Sequence, residues 1–147
     1  MRFLQIHNIN YLRNIEDAIK LKNNLSNKES IAIIGAGYIG LEVASSAINL
    51  KLDTTIVEME DRVMKRSVSN DVSRFFQDEH RKRGVEFLFN RSVVNIKDYK
   101  GKKEIICSDG KIIRSDFVVV GIGVKPNIKL AEDVGIDCNN GILVDEN

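Results

Sequence analysis

The stretch Gly35-Ala36-Gly37-Tyr38-Ile39-Gly40 constrains the fold of this chain more than any other feature. It follows a continuous apolar run at residues 31–34, and such runs suit a parallel strand that is buried on both faces. Helical apolar spacing after it predicts a helix over residues 38–50. The inner face of this helix is expected to carry Leu41, Ala44, Ser45 and Ile48. With a β-branched strand at residues 54–57, these elements predict one right-handed βαβ crossover.

Each glycine of this stretch has a physical reason in such a crossover. Gly35 permits a sharp turn out of the strand, and Gly40 permits close packing of the helix against it. Gly37 has no β-carbon and leaves room for a diphosphate, which the free N–H groups and the dipole of the helix start would bind. A glycine-rich turn without a ligand is the alternative, but the position between strand and helix favours a dinucleotide.

The residue that ends the second strand indicates which dinucleotide is bound. Glu58 lies 18 residues after Gly40, where a carboxylate can accept hydrogen bonds from the adenosine ribose and repel the 2′-phosphate of NADP. The next residues, Met59-Glu60-Asp61, are not basic, which favours NAD(H). Arg62 weakens this argument because it could reach a phosphate or stack on adenine. A solvated carboxylate at the strand end is the alternative for Glu58.

The residues alone leave the roles of two further features open. Glu42 lies in the first turns of the predicted helix and points either to solvent or to the nicotinamide side. Gly121-Ile122-Gly123 follows a predicted strand at residues 117–120, and ligands of open parallel sheets bind beyond the carboxyl ends of the strands. This turn is either a simple connection or a place where the backbone approaches the ligand.

The rest of the chain completes an α/β pattern. An N-terminal arm (1–13) precedes a helix over 15–25 that Asn14 caps, with Asp17 as a weak capping-box partner. A further helix is expected over 70–83, with Asn70 as its cap and Gly84 just after its end. Val72, Phe75, Phe76 and Glu79 lie in helical rhythm within it.

Several strands are predicted after that helix. They lie at residues 85–88, 93–97, 104–107 and 111–114, and the last strand follows a short helical stretch at 128–134 and covers 142–144. Asp109-Gly110 is typical of a hairpin turn, so the three middle strands are interpreted as a β-meander. We therefore predict a single domain over 1–147 whose core, 14–147, is a three-layer, Rossmann-like parallel sheet with flanking helices and an inserted antiparallel β-meander.

Composition excludes several classes of function. The 22 basic and 21 acidic residues leave a net charge of +1, which argues against non-specific nucleic-acid binding. No apolar run is long enough for a membrane span and no signal peptide is visible, so we expect a cytoplasmic protein without membrane contact. Cys107 and Cys138 have no metal-ligand spacing and are expected to be small buried hydrophobes.

The order of these motifs resembles a known family. Tyr11-Leu12-Arg13 with Asp17 is followed by IGAGYIGLEVA (34–44), IVEMEDRVM (56–64), the run at 66–87 and VVVGIGVKPN (118–127). This order is similar to the NADH-binding domain of FAD-dependent pyridine nucleotide-disulfide oxidoreductases, in particular the ferredoxin and rubredoxin reductase branch. The run at 66–87 is more diagnostic of that branch than the glycine motif is.

The resemblance implies roles for individual residues. The three glycines would cradle NADH, Glu58 would hold its ribose and Glu42 would contact the carboxamide. Tyr38 at the helix start also belongs to the implied cofactor site, and the backbone at Ile39 and the Gly121-Ile122-Gly123 turn would line the nicotinamide channel. Arg62 matches an arginine near the adenosine.

The implied reaction is hydride transfer from NADH to FAD, followed by electron transfer to a ferredoxin or rubredoxin. Such chemistry needs positioning rather than an acid–base pair, so neither catalytic side chains nor a metal are expected. The FAD-binding motifs of the family are absent from this chain, which suggests an NADH domain that is inactive without its FAD domain. Its exposed former interfaces would favour a homodimer. The alternatives are a coenzyme A-disulfide reductase, NADH oxidase or nitrite reductase branch, or a stand-alone nucleotide-binding module.

Overall fold

The structure, a computed structural model, describes residues 9–146. Its elements in chain order are α1 (Ile15–Leu25), β1 (Ser30–Ile34), α2 (Tyr38–Asn49), β2 (Asp53–Val57), α3 (Asn70–Lys82), β3 (Glu86–Leu88), β4 (Val93–Tyr99), β5 (Lys102–Cys107), β6 (Ile112–Ser115), β7 (Phe117–Val120), α4 (Lys129–Asp133), β8 (Cys138–Asn139) and β9 (Gly141–Ile142). The α/β fold with an inserted meander is confirmed.

A parallel sheet in the order β3-β2-β1-β7 forms the centre of the molecule. Strand β1 pairs with β2 on one side and β7 on the other, so that Ile33 lies opposite both Ile56 and Val119. Because the strands are parallel, their carboxyl ends meet at one edge of the sheet. The glycine stretch after β1 and the turn after β7 therefore lie next to each other.

The two faces of this sheet are covered by different layers. Ile31 and Ile33 belong to a cluster with residues of α1 and α2, whereas Ala32 and Ile34 pack with Ile96 and other apolar residues of the meander. The meander is the antiparallel sheet β4-β5-β6. Alternate side chains of one strand thus fill two cores, as expected for a strand buried on both faces.

Helix α1 begins as predicted. The side chain of Asn14 accepts a hydrogen bond from the backbone N–H of Asp17 at 2.9 Å. The carboxylate of Asp17 in turn accepts one from the N–H of Arg13 at 3.0 Å. This reciprocal pair satisfies two amides that the helix itself cannot satisfy.

The inner face of α2 differs from the prediction at one position. Leu41 and Ala44 are buried, but Ser45 is exposed, and Val43 and Ala47 are buried in its place. At about 100° per residue, Ser45 lies about 100° from Ala44 and about 160° from Ala47 around the helix, and so faces away from the sheet.

Helix α3 also departs from the prediction. Its N-cap is Ser69 and not Asn70, because the Ser69 hydroxyl accepts from the N–H of Val72 at 3.5 Å. The apolar residues Val72 and Phe75 are 40% and 61% exposed, so their helical rhythm does not mark a buried face. The end of the helix is as predicted, since Gly84 follows it with φ +97°.

Both ends of the described chain differ from expectation. The strand predicted at 142–144 is present only in part: Ile142 belongs to β9 of a small hairpin with β8, whereas Val144 is 85% exposed and lies outside any strand. Cys138 lies in this hairpin and is partly exposed, whereas Cys107 is buried as predicted. Most of the N-terminal arm (1–8) lies outside the described residues, but Asn10 forms a parallel bridge with Val119 beside β7.

Candidate functional site

A cleft of about 400 Å³ opens at the carboxyl ends of the parallel strands. Nine of the eleven predicted site residues line it: Gly35, Gly37, Tyr38, Ile39, Glu58, Arg62, Gly121, Ile122 and Gly123. The other two, Gly40 and Glu42, lie elsewhere. The sheet topology thus brings together three segments, which begin at Gly35, Glu58 and Gly121 and are well separated in the chain.

Gly35 and Gly40 are required by packing against backbone. A β-carbon on Gly35 would lie 2.5 Å from the carbonyl oxygen of Gly121, and its φ of +102° is one that side chains rarely adopt. A β-carbon on Gly40 would lie 2.0 Å from the carbonyl oxygen of Gly35. Gly40 therefore stands behind the loop, where it lets α2 approach the strand, and does not line the cleft.

Gly37 has a different environment. Its φ is −78°, which any residue adopts, and a β-carbon there would have no atom within 4 Å among the described residues. It is the N-cap residue of α2, whose first-turn amides have no carbonyl partner within the helix. Open space thus lies directly in front of a set of backbone donors and the positive end of a helix dipole.

The carboxylate of Glu58 is held against the glycine stretch. One oxygen accepts a hydrogen bond from the N–H of Ala36 at 2.6 Å, and the other accepts one from the N–H of Glu60 at 2.8 Å. The side chain lines the cleft and is partly buried. Each oxygen has a second acceptor site, so the fixed carboxylate can still receive hydroxyl donors from the cleft.

Arg62 is engaged by the protein itself. Its guanidinium donates to the carbonyl oxygens of Val68 at 3.2 Å and Lys65 at 2.9 Å, and to the hydroxyl of Ser73 on α3. These bonds tie the loop between β2 and α3 to the start of α3. Arg62 lines the cleft, but its donors are directed at these three oxygens.

Basic residues that sequence reasoning did not select also line the cleft. Lys65 and Arg66 both form ion pairs with Glu60, at 3.0 and 3.2 Å, and Lys65 also approaches Asp61 at 3.3 Å. Arg91 pairs with Asp109 of the meander turn. The position of Lys65 and Arg66 in the loop after Glu58 was the only sequence feature that could have indicated a place in the cleft. It was not sufficient, because their contacts depend on how that irregular loop folds.

Glu42 lies on another surface. It is exposed and lines a second cavity of about 470 Å³ between α1 and α2, together with Leu21 and Leu25 of α1. In the described part of the chain, Glu42 therefore does not line the cleft that contains Glu58. Its contact with a carboxamide stays a prediction.

The turn after β7 closes the opposite side of the cleft. The N–H of Gly121 continues the sheet by donating to the carbonyl of Ile34 at 2.8 Å, and Gly123 has φ +108°. Ile122, between them, is 54% exposed. The cleft thus has an apolar, backbone-rich wall on the β7 side and a charged wall on the β2 side.

The model of a known family matches residues 4–147, nearly the whole chain. The chain belongs to the pyridine nucleotide-disulphide oxidoreductase family. Rhodocoxin reductase of Rhodococcus erythropolis is 41% identical over 94% of this chain and 33% of that protein. Rubredoxin-NAD(+) reductase of Ectopseudomonas oleovorans is 35% identical over 97% of this chain and 37% of that protein.

A solved structure agrees with these relatives. The crystal structure of a ferredoxin reductase from Rhodopseudomonas palustris matches 97% of this chain and 37% of its own, with a TM-score of 0.88 and 32% identity. The chain spans about a third of the length of the relatives that it matches. Within residues 9–146, no helix is long and apolar enough to cross a membrane.

Proposed function

We propose that this chain binds NADH in the cleft beyond the parallel strands and serves as the NADH-binding part of an FAD-dependent reductase. In such a protein NADH supplies a hydride, FAD accepts it, and a ferredoxin or rubredoxin receives the electrons. The three similar proteins described above are named as a rhodocoxin reductase, a rubredoxin-NAD(+) reductase and a ferredoxin reductase, which supports this proposal. FAD and its ligands would belong to other parts of the polypeptide, and the site of action would be the cytoplasm.

The open space at Gly37 is the observation that carries this proposal. The backbone of Gly121 accounts for Gly35 and the backbone of Gly35 accounts for Gly40, but nothing within 4 Å among the described residues accounts for the missing side chain at Gly37. A diphosphate seated on the first turn of α2 would require that space. Glu58, fixed at the end of β2, would then accept hydrogen bonds from the adenosine ribose.

The nicotinamide half would extend from the diphosphate toward the β7 side of the cleft. Ile39 and Ile122 offer apolar surface there, and the Gly121 backbone permits close approach. No side chain on this side needs to exchange a proton, because hydride transfer depends on placing the two rings against each other. These residues would orient the nicotinamide ring and reduce the access of water to it.

The surface after β7 is proposed to contact the FAD-binding part. Several apolar side chains are exposed there, including Val124 at 72%, Leu130 at 81% and Val144 at 85%. Exposed apolar side chains of this size are candidates for burial against a partner surface. In the isolated chain the same surface would favour self-association, which sedimentation at two protein concentrations would detect.

A titration of NADH fluorescence tests the binding step. Gly37→Ala should weaken binding by at least about tenfold, or about 1.4 kcal/mol, because the new methyl group occupies the space required by the diphosphate. The free energy of unfolding should change by less than about 1 kcal/mol, as expected for a partly exposed N-cap position with open space in front of it. Ser45→Ala, at an exposed position of the same helix, is the matched control and should bind NADH normally.

The proposal fails if the folded wild-type chain shows no binding at millimolar NADH. It also fails if Gly37→Ala binds as tightly as Ser45→Ala. In the full protein with its FAD-binding part, NADH should bleach the flavin absorbance, and the wild-type chain alone should not reduce a ferredoxin.

A further inference from the structure

The loop that follows Glu58 contains an arrangement of charges that the sequence did not suggest. Among the described residues, four basic side chains line the cleft: Arg62, Lys65, Arg66 and Arg91. A cleft with four cations would be expected to attract the additional phosphate of NADP. Each of these cations, however, has an acceptor within the protein.

The acceptors differ in kind. Arg62 donates to two carbonyls and a hydroxyl, and Arg91 pairs with Asp109 on the meander. Lys65 and Arg66 share one acceptor, the carboxylate of Glu60, with one oxygen for each cation. Arg66 is 78% exposed and has no other ion pair among the described residues, whereas Lys65 also reaches Asp61.

Glu60 is also fixed relative to the ribose ligand. Its backbone N–H donates to Glu58 at 2.8 Å, and its carbonyl accepts from the N–H of Asn90 at 3.1 Å. These two bonds fix the backbone of Glu60, which is two residues from Glu58. The 2′-phosphate of NADP is attached to the ribose that Glu58 is proposed to hold, and Lys65 and Arg66 line the same cleft as Glu58.

We propose that Glu60 is a specificity-determining residue that excludes NADPH by neutralising Lys65 and Arg66 at the rim of the cleft. This inference rests on the proposed binding of NADH. Glu58 repels the 2′-phosphate directly, and Glu60 removes the cations that would otherwise compensate. The cleft thus selects NADH because its cations are already paired within the protein, and not because the cleft contains no cations.

The ionisation of these groups agrees with this role. Hydrogen bonds from Lys65 and Arg66 lower the pKa of Glu60, and the bond to Glu60 raises the pKa of Lys65. At neutral pH Glu60 is therefore a carboxylate and Lys65 is protonated. Removal of the Glu60 charge leaves a guanidinium free to form a charge-assisted bond with a phosphate.

The test compares dissociation constants for NADH and NADPH by fluorescence titration of the same protein sample. Glu60→Gln keeps the size of the side chain and removes its charge. We expect NADPH to bind about three- to tenfold more tightly, because one exposed guanidinium is released. The dissociation constant for NADH should change by less than about twofold. Addition of salt should reduce the gain, since phosphate pairing at an exposed site is screened.

Glu79→Gln is the matched control. Glu79 pairs with Lys82 on α3 at 2.8 Å and does not line the cleft, so this variant loses the same charge and one ion pair elsewhere. Its NADH and NADPH affinities should both stay as in the wild type. Arg66→Gln added to Glu60→Gln should abolish the gain for NADPH, which assigns the effect to the released cation. Glu60→Ala provides a second variant if the glutamine form does not fold.

The outcomes separate this inference from the proposed function. If the wild-type chain binds NADH but Glu60→Gln and Glu60→Ala bind NADPH no better than Glu79→Gln does, the role of Glu60 is refuted and the NADH site stands. If the folded wild-type chain binds neither nucleotide, the proposed function itself is wrong. A gain for NADPH that persists after removal of Arg66 also overturns the assignment.

Discussion

Gly40 lies directly behind Gly35, so that a β-carbon at position 40 would be 2.0 Å from the Gly35 carbonyl oxygen. The obstructing atom is backbone, and that backbone is held by the hydrogen bond from the Gly35 N–H to the carbonyl of Val57 at 2.8 Å. The loop therefore cannot move away without breaking its link to β2. This contact sets the separation between α2 and the sheet.

The contact predicts a large effect of Gly40→Ala on stability. We expect the free energy of unfolding to fall by about 1–3 kcal/mol, in the range of overpacked core substitutions. Urea denaturation followed by circular dichroism measures it. Gly37→Ala in the same loop has open space and should be much less destabilised; equal losses for the two variants would contradict the geometry.

Arg62 is expected to act through the fold rather than by a direct nucleotide contact. Arg62→Met removes donors from two carbonyls and the hydroxyl of buried Ser73, so stability should fall by about 1–3 kcal/mol in the absence of nucleotide. Arg66→Met, at a mostly exposed side chain, serves as the control and should unfold like the wild type. Unchanged stability of Arg62→Met, combined with weaker NADH binding, would favour a direct adenosine contact instead.

The meander should contribute a pH-dependent part of the stability through Glu104. This carboxylate is almost fully buried in the meander and pairs with Lys97 at 3.0 Å and Arg114 at 3.1 Å. The hydrogen bond from Lys97, with a smaller contribution from Arg114, lowers its pKa in the folded state despite burial. The stabilisation is therefore complete above the unfolded-state pKa and disappears as the pH falls through the lowered, folded-state value.

Glu104→Gln is accordingly expected to be less stable than the wild type at neutral pH, with the difference shrinking in acid. Urea midpoints measured from neutral to acidic pH would show this convergence. Glu16→Gln, on the exposed face of α1, is the control and should follow the wild type throughout. A difference that is constant with pH would show that the ion pairs do not contribute to stability.

The cap of α1 gives a simpler prediction. Asn14→Ala removes the side-chain acceptor for the N–H of Asp17 and should destabilise the protein by about 1 kcal/mol. Thermal unfolding would report the change. Asn24→Ala, within the same helix and exposed, should be neutral or slightly stabilising because alanine has the higher helix propensity.

The two cysteines should differ in reactivity. Burial raises the pKa of the Cys107 thiol, which is 1% exposed, whereas Cys138 is partly exposed in the terminal hairpin. Iodoacetamide should therefore modify one thiol rapidly in the native protein and the second one only after denaturant is added. Mass spectrometry of digested samples should assign the rapid reaction to Cys138; early labelling of Cys107 would contradict its position in the core.

The parts of the fold set by local chemistry were predictable from the sequence. The close approach of Gly40 to Gly35, the cap at Asn14 and the helix stop at Gly84 each depend on residues close in the chain. The three layers followed from the apolar run of β1 and the hairpin signal at Asp109-Gly110. These signals are strong because few residue types satisfy the required backbone geometry.

Features that depend on neighbours distant in the chain were not predictable. The exposure of Phe75 contradicts its helical rhythm, because periodicity cannot show whether a partner layer covers the face. The strand expected at 142–144 ends at Ile142, which pairs with Cys138, because no strand lies beside Leu143 and Val144 among the described residues. The ion pairs of Glu60 depend on the path of an irregular loop, and the bonds of Arg62 depend on where α3 begins.

The position of β1 between β2 and β7 also affects how the chain folds while it is being synthesised on the ribosome. Residues 31–34 meet their β2 partners within about two dozen residues of synthesis, but the partners in β7 follow only at residues 117–120. Until then, an apolar strand has a row of unpaired amide and carbonyl groups, which is a template for aggregation. Nascent chains halted within the meander should therefore recruit chaperones, whereas chains released after β7 should not.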